Sequence, residues 1–445
     1  MLSLPKVREK LRLIIDNKEQ QGHIVAGLRE KLDAAPGSLD ALSDFARALP
    51  ALPLRADWPY VEPDDLEAIL AECDPARPTG AIAKMDLDDC SRRVAEGFLG
   101  SVCGCMLGKP LEIDPTFDEL RAAFAPLGEW PLRDYVPVAA LENLRRRNGT
   151  WPESTRGNIR WVAPDDDINY TVLGMLLLEK HGAKLGKTDV RDGWIRHVPL
   201  SDVWGPERTL LAKAALWHNG LLEDDPDDWA GVFNWNDELC GAQIRADAYG
   251  YACPGRPELA ARLAWVDSSW THRKTGVYAT MWTAAAIAVA PVERDPLRIF
   301  EIALQFVPQR SRFHKIVADS LCEAASARDF EDGYRRIHGK YKEYSHCRVY
   351  QESGTLINTL RWAESVGDGI CKQVMQGNDT DSYGATAGSL LGAFFGPGHL
   401  EERWLHPFND DIHTTLSGFF ERSLTQLALR MGQLPQRIAD ELAPG

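Results

Sequence analysis

At 445 residues, with 44% apolar and 26% charged side chains, the chain has the makeup of a folded protein with a large core, and disorder over most of its length is excluded. Its 65 acidic residues against 50 basic ones leave a net charge of −15, which argues against a general nucleic-acid surface, because phosphate backbones call for a basic footprint. A phosphorylated ligand stays open wherever a bound cation inverts the local field.

Residues 5–48 read as two charged amphipathic helices broken at Pro36-Gly37, with Ser38 as the N-cap of the second. A proline-bearing stretch, Pro50 to Pro63, and a second break at Asp74-Pro75 precede a change of texture near Asp88. This divides the chain into an N-terminal helical extension, 1–85, and a main body, 88–432. The first residues lack the apolar core and cleavage site of a secretory signal, and the apolar run Met281 to Pro291 is too short to span a bilayer, so a soluble cytoplasmic protein is expected. None of the nine cysteines forms a CxxC pair; reduced core thiols are the reading, with zinc the lesser alternative.

Across the main body, apolar residues recur at spacings of three and four, as in Val172, Leu173, Leu176 and Leu177 or Leu416, Phe420, Leu424 and Leu427. No strand-turn-strand series or strand-helix alternation is visible, and an all-α fold is predicted. Two segments carry glycine stripes: Gly97, Gly100, Gly104, Gly108 and Gly384, Gly388, Gly392, Gly396. Each interior helical glycine costs about 1 kcal/mol relative to alanine, so eight of them call for a close backbone approach.

The chemistry lies in two aspartate runs. Asp165-Asp166-Asp167 opens the helix Ile168 to Lys180, and Gly377-Asn378-Asp379-Thr380-Asp381-Ser382 stands before the second glycine stripe. One carboxylate at a helix N-terminus is explained by capping. Five in two runs repel one another unless protons or a cation neutralise them, and oxygen donors of this kind suit Mg²⁺, Mn²⁺ or Ca²⁺. Solvated caps are the competing reading. An EF-hand fails because its twelfth place is Leu390, and Gly104 to Lys109 is one residue short of a phosphate loop. A terpene-cyclase motif, N-D-x-x-S-x-x-x-E, fails at Thr386. Trp151 and Trp161, near the first run, would stack on a base or fill the core.

In order along the main body, Gly97 to Glu112, Asp165 to Asp167, Gly241 to Asp247, Thr271-His272 and Gly377 to Ser382 resemble the motifs of the ADP-ribosylglycohydrolase family. The departures are Cys105 for an aspartate, Asp165 for a hydroxyl residue and Ile168 for a threonine. The resemblance implies a compact multi-helix bundle holding two Mg²⁺ ions, with Mn²⁺ as an alternative. Asp165, Asp166, Asp167, Asp379, Asp381 and Ser382 would be ligands; Glu112, Asp166 and Asp379 would be catalytic, Glu112 as the acid–base group. Gly241, Gln243, Arg245, Asp247, His272 and Asn378 would contact substrate, although Arg245 and Asp247 could equally pair with each other and His272 could be a core histidine. The expected reaction is Mg²⁺-dependent hydrolysis at the anomeric carbon of an ADP-ribosyl group on a protein or small molecule. The alternatives are an N-glycosidase of a free nucleoside or other ribosyl metabolite, and a non-catalytic protein of the same fold.

Overall fold

A computed structural model describes residues 3–112, 114–144, 151–344 and 347–443, with the side chain of Trp151 outside that description. The fold is all-α: among the described residues helices follow one another without a β-strand, and only isolated bridges such as Thr116 to Gly377 join distant segments. No described helix is long and apolar enough to cross a membrane. The apolar run beginning at Met281 has another use. It belongs to the Lys274–Val289 helix, whose residues from Thr275 onward are all buried, with Trp282 stacked on Phe300 at 5.2 Å.

The main structural event is the pairing of the two glycine stripes. They lie on the Leu87–Gly108 and Thr380–Phe395 helices, and each stripe faces the other. A Cβ on Gly104 would stand 1.9 Å from the Gly384 carbonyl oxygen, and one on Gly388 would stand 2.1 Å from that of Gly100. Real Cβ atoms do not approach so closely, so the backbones touch only because both faces are bare. Gly396 falls past the last turn, at φ +78°, where it ends the helix rather than extending the stripe.

Residues 5–48 differ from the expected pair of helices. Three form, Leu4–Gln20, Leu28–Ala34 and Leu39–Ala48, because Gly22 and Gly27 take positive φ values (86° and 75°) and turn the chain between the first two. Ser38 does cap the third, accepting from the Ala41 N–H at 3.3 Å. Leu11, Ile15, Leu32 and Leu42 make a small separate core, with Phe233 and Trp235 of the main body packed against it. The proline-bearing stretch then runs along the main body. Glu62 pairs with Arg312 at 2.8 Å, and Asp64 accepts from the Lys274 N–H at 2.9 Å.

Candidate metal centre and active site

Where the last turn of one glycine helix meets the first turn of the other, two polar segments are forced together. Thr380 Oγ1 donates to the Gly108 carbonyl at 2.8 Å, and a Cβ on Gly108 would lie 2.0 Å from the Thr380 oxygen. Glu112 follows directly, its N–H on the same Gly108 carbonyl at 3.2 Å. From there the chain crosses the second aspartate run. Asn378 N–H donates to the Pro115 carbonyl at 2.8 Å, and Gly377 (φ +81°) has that oxygen where a Cβ would be. The result places carboxylate oxygens of Glu112, Asp379 and Asp381 within 4.8 Å of one another.

The first run arrives from a third helix, Asp166–His181. Asp165 is its N-cap, accepting from the Asp167 N–H at 3.2 Å, and Ser382 Oγ donates to Asp167 Oδ2 at 3.4 Å. Thus two runs more than two hundred residues apart share one site. Asp165, Asp167, Asp379 and Asp381 are buried, whereas Asp166 and Glu112 are part-exposed. Burial, and then the neighbouring charges, push three carboxyls far above the ordinary range. For Asp166 the neighbours are Asp165, Glu112 and Asp379; for Asp167 they are Asp165, Asp166 and Asp381; for Asp381 they are Glu112, Asp165 and Asp379.

Asp165 behaves oppositely. Burial pushes its carboxyl up too, but the Lys109 ammonium and hydrogen bonds from Asp167 more than offset that and leave it below the ordinary value. Lys109 forms a buried ion pair with it and donates to the Pro164 carbonyl at 3.1 Å. Asp165, expected as a ligand, therefore already holds a cation supplied by the chain. Lys109 itself follows the glycine stripe in a segment that fails as a phosphate loop, and nothing local announces its partner.

The donor set suits a hard divalent cation. Its atoms are carboxylate oxygens, several carboxyls are driven toward neutrality, and Asp167 Oδ1 is buried with no hydrogen-bond partner. Glu352, fully buried, adds a further carboxylate by accepting from the Asp379 N–H at 3.3 Å. No motif marks Glu352 in the sequence. Ile168 and Cys105, the departures within the site, are both buried, with Cys105 Sγ within 4.8 Å of Asp165 and Asp167 oxygens.

The residues expected to touch substrate mostly face the interior. Arg245 is ion-paired with Asp267, meets Glu207 at 2.5 Å and donates to Thr271 Oγ1 at 2.6 Å, with its guanidinium over the Trp194 ring. It does not pair with Asp247, which instead accepts from Ser389 at 2.7 Å. Gln243 donates to Thr283 and Ser353 and accepts from Tyr383 at 2.6 Å. His272 is fully buried, hydrogen-bonded to Thr271 at 2.7 Å, and burial followed by Arg245 holds it well below its ordinary pKa and hence neutral. Gly241 makes room for Glu207, whose carboxylate oxygens would lie 2.8 Å from a Cβ. Only Asn378 stands beside the acidic cluster, in the left-handed region (φ +61°) with its Nδ2 buried and unpartnered. Trp161 stacks on His413 at 5.1 Å; the side chain of Trp151 lies outside those described.

A family model described as ADP-ribosylglycohydrolase matches residues 86–438. One solved structure, titled "ADP-ribosylglycohydrolase-related protein complex", is similar over 78% of this chain and 99% of that one, at 19% identity and a TM-score of 0.48. Among curated proteins none matches.

Proposed function

The chain belongs to the ADP-ribosylglycohydrolase family, and on that premise we propose that it hydrolyses the anomeric bond of an ADP-ribosyl group carried by a protein or small molecule. The observation that supports this reading most is the convergence of Glu112, Asp379 and Asp381 oxygens within 4.8 Å, with Asp167 joined to them through Ser382. Asp166, Asp167, Asp379, Asp381 and Ser382 would hold Mg²⁺ or Mn²⁺. A cation held there would supply Lewis-acid chemistry to the ribose and to the attacking water.

The chain's own groups have distinct parts in this scheme. Glu112, partly exposed, handles the proton and stabilises the oxocarbenium-like charge at the anomeric carbon. Asp166, the other partly exposed carboxylate, orients the attacking water from the opposite run. Lys109 neutralises Asp165 and so fixes the start of the helix that carries Asp166 and Asp167. Asp165 is a positioning residue in this scheme, outside the ligand set. Asn378 offers Nδ2 to the substrate, while Gln243, Arg245, Asp247 and His272 hold the surrounding helices in register.

Cys105, standing where the family has an aspartate and within 4.8 Å of Asp165 and Asp167 oxygens, favours a second reading, an N-glycosidase of a nucleoside or other ribosyl metabolite. A product screen with Mg²⁺ or Mn²⁺ over ADP-ribosyl-arginine, ADP-ribosyl-serine, O-acetyl-ADP-ribose and simple nucleosides separates the two. On the substrate that is turned over, Glu112→Gln should lower turnover by about 10² while the protein still responds to cations. Absence of product from every compound would overturn both readings, and wild-type turnover by Glu112→Gln would remove its assigned role.

A further inference from the structure

Beside the carboxylate cluster stands a group with different chemistry. Cys240 Sγ lies 3.4 Å from Asp379 Oδ2, and the Cys347 sulfur completes a set whose three ligand atoms all lie within 4.8 Å of one another. The backbone fixes this meeting of distant segments. Cys240 N–H donates to the Cys347 carbonyl at 2.8 Å, next to a bridge between Leu239 and Arg348. No disulfide joins the two sulfurs. Cys240 Sγ donates a hydrogen bond to Asp379 Oδ2, but hard cations gain little from sulfur donors, so neither thiol is a ligand of the hard-cation centre.

A tetrahedral zinc-class ion with Zn–S near 2.3 Å and Zn–O near 2.0 Å separates its sulfur and oxygen ligands by about 3.5 Å. The Cys240 to Asp379 distance of 3.4 Å already matches that spacing. We propose that Cys240, Cys347 and Asp379 form a second cation site, for a thiophilic divalent ion of the zinc class, which shares Asp379 with the hard-cation centre. Three protein ligands leave the fourth position open to water or another small ligand, unlike a closed structural site. Because both ions draw on one carboxylate, a thiophilic ion here antagonises Mg²⁺.

The probe is Cd²⁺ alone, added to the full chain kept reduced by a phosphine. The expected result is a thiolate-to-cadmium absorption band saturating near one equivalent above the background of the Cys240→Ser/Cys347→Ser double variant. Each single variant should weaken binding by at least the ~10-fold that losing even a group outside the ligand set costs. Excess Mg²⁺ should also weaken it, while the melting response to Mg²⁺ survives in both cysteine variants. Cys347→Ser, at the less buried position, keeps the test available where Cys240→Ser fails to fold. Identical cadmium titrations for wild type and the double variant, or no band at all, would overturn the site. A cadmium band in a protein without any Mg²⁺ response supports this site and removes the hard-cation reading instead.

Discussion

The Lys109 ammonium rests on the Asp165 carboxylate with both side chains almost sealed from water, at 6% and 3% exposure. Removing one partner strands the other. Lys109→Met should destabilise the protein by about 3–5 kcal/mol in denaturant unfolding, because it leaves a buried charge without compensation. Adding Asp165→Asn should recover most of that loss. A double variant no better than Lys109→Met would show that the lysine acts through packing alone.

Cations should repair a site that repels itself. An ion that binds only the folded state stabilises it by RT ln(1 + [L]/Kd), about 2.7 kcal/mol at a hundredfold excess over Kd. Millimolar Mg²⁺ or Mn²⁺ should raise the melting temperature, and a chelator should lower it. Asp381→Asn should lose much of that rise yet match or exceed wild type in metal-free stability, since burial and then Glu112, Asp165 and Asp379 disfavour its charge. Overlaid melting curves with and without both ions would leave the carboxylates as ordinary helix caps.

Asp247 supplies a pH dependence away from that centre. Burial pushes its carboxyl up to about 7, against the pull of hydrogen bonds from Ser389 and Ser101, and Oδ1 has no partner. A carboxyl whose folded pKa exceeds its unfolded value stabilises at low pH and loses that contribution as pH rises through the folded value. Between about pH 4 and 7, Asp247 should therefore cost stability at up to ~1.4 kcal/mol per pH unit. Asp247→Asn should flatten the profile by that amount and gain on wild type at pH 8. Parallel profiles for the two proteins would contradict this.

Glycines that look alike in sequence should respond differently to a methyl group. Gly104→Ala puts a Cβ 1.9 Å from a carbonyl oxygen, and the two helices must part. A loss at or above the ~1–3 kcal/mol usual for overpacking is expected, together with a smaller melting response to Mg²⁺. Gly339→Ala, in the Phe330–Tyr341 helix with nothing within 4 Å of its Cβ, should instead be neutral or gain up to ~1 kcal/mol. Equal effects at both positions would mean that the stripes do not set the helix spacing.

What could be read in advance was whatever a local pattern encodes. The stripes announced a close helix pair, and aspartates before apolar runs announced helix starts, because both signals repeat within one or two turns. The partners of Arg245 could not be read so. Glu207 and Asp267 flank it at distances in sequence that only the fold brings together, and the nearby Asp247 turned out to face Ser389. Ile168 looked like a lost ligand but is buried in the main core, where an apolar side chain needs no other reason. Glu352 and Lys109 were invisible for the same cause as Arg245: each acquires meaning only from a residue on another helix.

Glu62, within the N-terminal extension, shares the Arg312 guanidinium with Glu238. Arg312 is 8% exposed, so this guanidinium sits in the interior with one acid from before and one from within the family-matched span 86–438. Cutting the chain at the start of that span would be less like detaching a module than like drawing a bolt. The trimmed protein would leave Arg312 opened to water with Glu238 as its remaining acid, and Glu238 stands two residues before Cys240. The stability of the thiol-bearing loop would then depend on residues far outside the span that defines the family.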